Sequence, residues 1–180
     1  DVILIQVEAG ANIAQPIRIS SLLSAGAESH TRVLVRLENE ARATIIEDVQ
    51  AQGDSLSTAF VEYDIADEAH LEHYRFALQT DTNVSLGGSH FKLNNKSTMH
   101  STIVGFGSNL SRLDTDIIHA GEHADAKLNA MYLLDGKELF DLHATVEHAM
   151  PNGTTEENVR GIVADRARAG FNGRIHIHRD

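Results

Sequence analysis

Residues 123–148, HADAKLNAMYLLDGKELFDLHATVEH, decide the fold. Ala124, Ala126, Leu128, Ala130 and Tyr132 alternate with Asp125, Lys127, Asn129 and Met131, so one face is apolar and the other mostly polar. That is the two-residue period of a half-buried strand, because successive side chains of an extended chain leave on opposite sides. Asp135-Gly136 interrupts the pattern as a turn dipeptide. Alternation resumes with Leu142, Ala144 and Val146 against Asp141, His143, Thr145 and Glu147. Two strands joined by a short connection are therefore expected.

Working outward, the same arrangement recurs. Small residues that open an alternating segment stand at Ala11, Ala41, Ala69, Ser97 and Ala124, at intervals of 30, 28, 28 and 27 residues. Each interval holds further alternating pieces, such as residues 33–37 and 102–106. A coil that spends about 28 residues per circuit on short strands and polar corners is a parallel β-helix, or solenoid. An antiparallel sandwich, with turns every 8 to 12 residues or about that, satisfies the pattern equally. The residues alone leave both open. Aromatic content is 5%, Trp is absent and Pro numbers two, so the core is filled by Ala, Val, Ile and Leu, which suits a thin stacked core. At 180 residues one domain spanning 1–180 is expected. One segment disagrees: Thr154 to Glu157 fit a capping box, and Val159, Ile162, Val163 and Arg166 have helical spacing, so local rules write a helix there.

Several strings resemble the SufB/SufD family of iron-sulfur cluster assembly scaffolds. They are Ala120-Gly121-Glu122, Leu128-Asn129, Tyr132-Leu133-Leu134-Asp135-Gly136, Glu147-His148, Gly161-Ile162 and Asp165-Arg166. The most specific is Arg168-Ala169 followed by Phe171-Asn172-Gly173-Arg174-Ile175, and the wording is closer to the SufD branch. The resemblance implies an all-β, right-handed parallel β-helix core, which favours the solenoid and replaces the helix after Thr154 with strands. It covers the middle of a family member. The chain is thus expected to be a fragment of the core domain without the family's N- and C-terminal segments. The family's cluster-related Cys and His positions and its ATPase-docking helical segment are expected C-terminal to it.

Charge and composition exclude several function classes. Lys and Arg total 15 against 26 Asp and Glu, a formal charge of -11 that repels nucleic-acid phosphates and anionic lipid surfaces. No apolar run is long enough to span a bilayer, and no signal peptide is expected. With no cysteine, the chain supplies no disulfide, thiolate nucleophile or thiolate cluster ligand. No phosphate loop of the form G-x-x-x-x-G-K-[ST] is present, Gly105-Phe106-Gly107 lacks the third glycine of a dinucleotide fingerprint, and Gly87-Gly88-Ser89-His90-Phe91 lacks the second glycine of a nucleophile elbow and reads as a flexible turn.

Eleven histidines are the remaining candidates for chemistry. His176 and His178 share a strand face roughly 7 Å apart and suit two metal ligands, but no third ligand is evident. His143 and Glu147 would pair on a helix, whereas strand alternation separates them by roughly 13 Å. His148 has the parity of Val146 and is read as a core histidine. His70, His73, His119 and His123 are read as solvated. No catalytic, cofactor-binding or metal residue is assigned.

The expectation is a non-catalytic scaffold subunit of the SUF system. Its implied partners are a SufB-like subunit and a SufC-type ATPase, with the iron-sulfur cluster held in the assembled complex rather than by this chain alone. The alternative is a β-helix enzyme acting on polysaccharide through carboxylates on one strand face; a left-handed hexapeptide-repeat acyltransferase is excluded by the lack of a six-residue period. The expected location is the cytoplasm or a plastid stroma. Ile175 and Ile177, inward on the last strand with nothing to blunt its edge, imply a homodimer.

Overall fold

The computed structural model describes residues 2–51, 53–78, 82–106 and 108–179. Every regular element in them is a strand: β1 Ile3–Val7, β2 Ile17–Leu23, β3 Glu28–Leu37, β4 Arg42–Ala51, β5 Leu56–Ile65, β6 His70–Ala77, β7 Val84–Leu93, β8 Thr98–Phe106, β9 Leu110–His119, β10 Asp125–Leu134, β11 Leu139–His148, β12 Thr154–Val163 and β13 Arg168–Ile177. The odd strands form a seven-stranded sheet and the even strands a six-stranded sheet, each in chain order. All their pairings are parallel. The chain therefore alternates between the sheets and climbs one strand per circuit, a β-solenoid of about six coils. The strands at 125–134 and 139–148 lie in opposite sheets and pair with the coils below and above.

Stacking is in register, which turns the sequence repeat into columns. Ile45 lies beside His73 and His73 beside Ser101. The core is the layer between the sheets, with Ala43, Leu71, Met99 and Ala126 from one and Val35, Tyr63, Phe91 and Ile117 from the other. Ala41, Ala69, Ser97 and Ala124 are at most 1% exposed, because each sits inside a corner with room for only a small side chain. The preceding residues Glu40, Glu68, Lys96 and His123 have φ from 53° to 60°. That left-handed region costs a non-glycine residue roughly 1–2 kcal/mol, and bonds between coils hold it: the Glu40, Glu68 and Lys96 N–H groups donate to the Asp67, Asn95 and Glu122 carbonyls at 2.8–2.9 Å.

The segment after Thr154 is a strand, not a helix. Its ten residues pair with all ten of β10. The Thr154 hydroxyl donates to the Asp125 carboxylate on that neighbour instead of capping a helix. Glu157 stands beside the inward Leu128, where burial pushes its carboxyl up. A local capping signal is worth about 1 kcal/mol, less than a full hydrogen-bonded ladder. The motif glycine Gly161 stands beside Tyr132, and a β-carbon there would fall 1.9 Å from that ring. The two motif strings thus meet in one contact.

Candidate functional site

The inward face of β4 carries a charge. By alternation from Ala43 and Ile45, Glu47 points into the core and is 4% exposed. Four groups from both sheets satisfy it. Arg75 Nη1 donates to Oε2 at 2.6 Å, His73 Nε2 lies 2.8 Å from Oε1, and the Tyr63 and Ser89 hydroxyls donate to Oε1 at 2.6 and 3.0 Å. Burial alone would raise the carboxyl, but Arg75, then His73 and Tyr63, outweigh it and hold the pKa at about 2. Burial, followed by the Glu47 charge, pushes the Tyr63 phenol well above its ordinary value.

Arg75 fits only because β7 is thin opposite it. A β-carbon at Gly87 would lie 2.4 Å from the Ala59 carbonyl oxygen and 2.5 Å from Arg75 Nη2. Gly87-Gly88-Ser89-His90-Phe91 is therefore the middle of a strand, not a flexible turn; its glycines mark a close approach. Ser101 Oγ, His73 and Glu47 have the connectivity of a nucleophile, a base and an orienting carboxylate, with His73 Nδ1 2.8 Å from Ser101. All three are buried, and the cavity beside Glu47 has about 20 Å³ of free volume, room for one water and no substrate.

Two solvated readings are thereby corrected. His73 is completely buried as a Glu47 partner, whereas His70, three residues earlier, falls on the outer face. His119 is also completely buried: it stacks on His148 with ring centroids 4.2 Å apart, and its Nε2 lies 2.8 Å from the Thr155 hydroxyl. His148 takes the inward position its parity indicates, half-buried beside His119. Burial, then the nearby His148, pushes His119 from 6.5 down to about 4, and burial lowers His148 as well. Because the unfolded chain takes up these protons first, this contribution to stability is greatest above pH 6.5 and falls toward about 4. His119→Gln is expected to flatten the urea midpoint against pH across that window. An unchanged slope would exclude the pair as its source.

Among the described residues the outer faces hold two further clusters, each of two histidines and one glutamate: His70, Glu72 and His100 on the six-stranded sheet, and Glu147, His176 and His178 on the seven-stranded one. His176 and His178 thus do have a third candidate ligand, placed one coil away rather than along the strand: Glu147 Oε1 is 2.5 Å from His178 Nε2. His143 and Glu147 do not meet; His143 bonds Asp141 at 3.1 Å. Gly105 and Phe106 end β8, and Gly107 lies outside the described residues. At the other end of the six-stranded face, Phe106, Met131, Leu133 and Ile162 are exposed beside a groove of about 400 Å³. Among the described residues no helix is long and apolar enough to cross a membrane.

A family model described as the SUF system FeS cluster assembly, SufBD core domain matches residues 20–180. The chain is 26% identical over 180 residues to the iron-sulfur cluster assembly protein SufD of Escherichia coli (strain K12), an alignment covering 96% of this chain and 43% of that protein. It is 24% identical over 156 residues to an iron-sulfur cluster assembly SufBD family protein of Synechocystis sp., covering 81% and 34% of the two chains. The chain spans less than half the length of these curated relatives.

Proposed function

The chain belongs to the SUF-system SufBD core-domain family, and on that premise we propose that it serves iron-sulfur cluster assembly as a scaffold subunit that catalyses no reaction itself. The observation that carries this reading is the family match, which runs over β2 to β13 and so over nearly the whole solenoid. A stack of parallel coils tied by in-register ladders is a rigid surface, suited to holding partners at fixed separation. The chain has no cysteine, so thiolate ligands of a cluster come from elsewhere in the assembled complex. The partners in this reading are a SufB-like subunit and a SufC-type ATPase, in the cytoplasm or a plastid stroma. Co-expression with both, followed by affinity purification, is expected to give a stable complex. ATP-dependent cluster assembly that runs undiminished without this subunit would overturn the reading.

Two supporting tests follow from the geometry. Ser101 is buried with His73 and Glu47, so a fluorophosphonate serine probe is expected to leave it unlabelled in the folded protein. Labelling of Ser101 would instead argue for a hydrolase. Pairing between copies of this chain is proposed to use β13, which is an edge strand in it and whose inward residues Ile175 and Ile177 are 61% and 69% exposed. A dimer at micromolar concentration is expected. Ile175→Lys with Ile177→Lys should convert it to a monomer in sedimentation, and a wild-type chain that stays monomeric at every salt concentration would remove the idea.

A further inference from the structure

We propose that His70, Glu72 and His100 form a binding site for a divalent first-row transition-metal ion, of the class that ferrous iron and zinc represent. The site stands on its own geometry, whether or not the subunit serves cluster assembly. It arises from the lattice of the parallel sheet. On one face of a ladder, neighbours along a strand are two residues apart, roughly 6.6 Å, and neighbours across strands are about 4.8 Å apart. β6 and β8 run in register, with His70 beside Thr98 and Glu72 beside His100. The four residues occupy the corners of one lattice rectangle on the outer face.

Three corners supply ligand atoms and the fourth supplies support. His70 Nε2 lies 3.0 Å from Glu72 Oε1, and His100 Nδ1 lies 2.9 Å from the same oxygen. Edges of about 3 Å are those of three ligands at right angles around an ion about 2.1 Å from each. The third edge completes a set whose ligand atoms all lie within 4.8 Å of one another. The Thr98 hydroxyl bonds His70 Nδ1. A partner on the second nitrogen is what orients a metal-bound imidazole and selects the tautomer with a free lone pair. If Thr98 accepts that N–H, His70 Nε2 turns a lone pair toward a carboxylate oxygen at 3.0 Å, and a cation between them removes the repulsion. The neighbouring cation Lys127 is directed to Glu156, 3.9 Å away, rather than to the cluster.

The donor set and the exposure decide the class of ion. Two borderline imidazoles with one hard carboxylate suit first-row transition metals, and with open positions they match the facial arrangement of non-haem ferrous sites. Side-chain exposures of 23%, 34% and 37% for His70, Glu72 and His100 leave the solvent side free for water to complete the shell. On the other sheet Arg32 pairs one-to-one with Glu62, whereas here two imidazoles converge on one oxygen atom.

The test is titration of the whole protein with Fe²⁺ under anaerobic conditions, and separately with Co²⁺, whose visible bands report coordination. The expected result is one ion per chain that is lost in His70→Asn/His100→Asn and weakened at least tenfold in Glu72→Gln. Thr98→Val should weaken binding roughly ten- to a hundredfold. His176→Asn/His178→Asn should still bind, which separates this site from the other cluster. Because all substitutions are on the outer face, metal-free unfolding midpoints should change little. In the wild-type protein, Zn²⁺ should shift the His70 Nε2 and His100 Nδ1 resonances in nitrogen-detected histidine spectra, a readout that needs no variant to fold. Either the absence of saturable binding, or binding and imidazole resonances indifferent to these substitutions, would overturn the proposal.

Discussion

Glu47→Ala is expected to destabilise the central coils by about 3–5 kcal/mol, because removing one partner of a buried ion pair leaves the other charge uncompensated. At roughly 2–4 °C per kcal/mol for a chain of this size, the thermal midpoint should fall by about 6–20 °C. The physical cause is the position of Arg75, whose guanidinium donates to Glu47, to the Gly88 carbonyl and to the Ser89 hydroxyl within the core. With Glu47 gone it keeps only neutral acceptors. Glu47→Leu combined with Arg75→Met should recover part of the loss, since no charge is then buried, while Tyr63 and His73 still lack their acceptor. The same network sets an acid limit. The folded value of about 2 lies below the ordinary 4.5, so the unfolded chain takes up the proton first. The contribution is complete above pH 4.5 and is lost as pH falls toward about 2. Urea unfolding at pH 7 and pH 3 should show the wild type losing stability that Glu47→Gln no longer has to lose. Equal losses in both would place the acid sensitivity elsewhere.

What the sequence made legible follows the same physics. Strand alternation at 124–132 and 142–146 was readable because only one face of each strand meets the core. The repeat of Ala41, Ala69, Ser97 and Ala124 was readable because a corner of the coil admits only a small residue. The left-handed residues just before them were not, since Glu40, Glu68 and Lys96 are held in that conformation by the next coil and carry no local signature. The strand at 154–163 needed the family resemblance, because its local pattern favours a helix and only the ladder to β10 decides. Glu47 carried no readable signal and His73 read as solvated for a different reason: each is a polar residue on the inward parity of its strand, which looks like an irregularity until the coil brings the two together. A search at the 28-residue spacing would have found Glu47 with Arg75 and His73 with Ser101. The His70, Glu72 and His100 cluster was hidden likewise, its third ligand 28 residues after the glutamate rather than along the same strand.

Gly121→Ala is expected to cost at least about 3 kcal/mol, at the upper end of what overpacking does. A β-carbon at Gly121 would stand 2.1 Å from Asn95 N, 2.3 Å from Asn94 C and 2.7 Å from Asn95 Cα. All three are backbone atoms of the neighbouring coil, so no side chain can turn aside. The coils must part instead, and the bonds that join them at this corner oppose that movement. The Ala120 and Gly121 N–H groups donate to the Leu93 carbonyl at 2.8 and 2.9 Å, the Lys96 N–H to the Glu122 carbonyl at 2.8 Å, and the Glu122 N–H to Asn95 Oδ1 at 2.9 Å. This gives the glycine of the Ala120-Gly121-Glu122 string a structural reason: the close approach of two corners. Gly136 provides the contrast. It has φ +57° but nothing within 4 Å of a new β-carbon, so Gly136→Ala should cost only the left-handed backbone preference, about 1 kcal/mol. Gly161→Ala should fall between them, because its β-carbon meets the Tyr132 ring, a side chain that can shift. Denaturant midpoints of the three variants under one set of conditions test the order. A Gly121→Ala loss no larger than that of Gly136→Ala would mean that the corners do not hold the coils at this distance in solution.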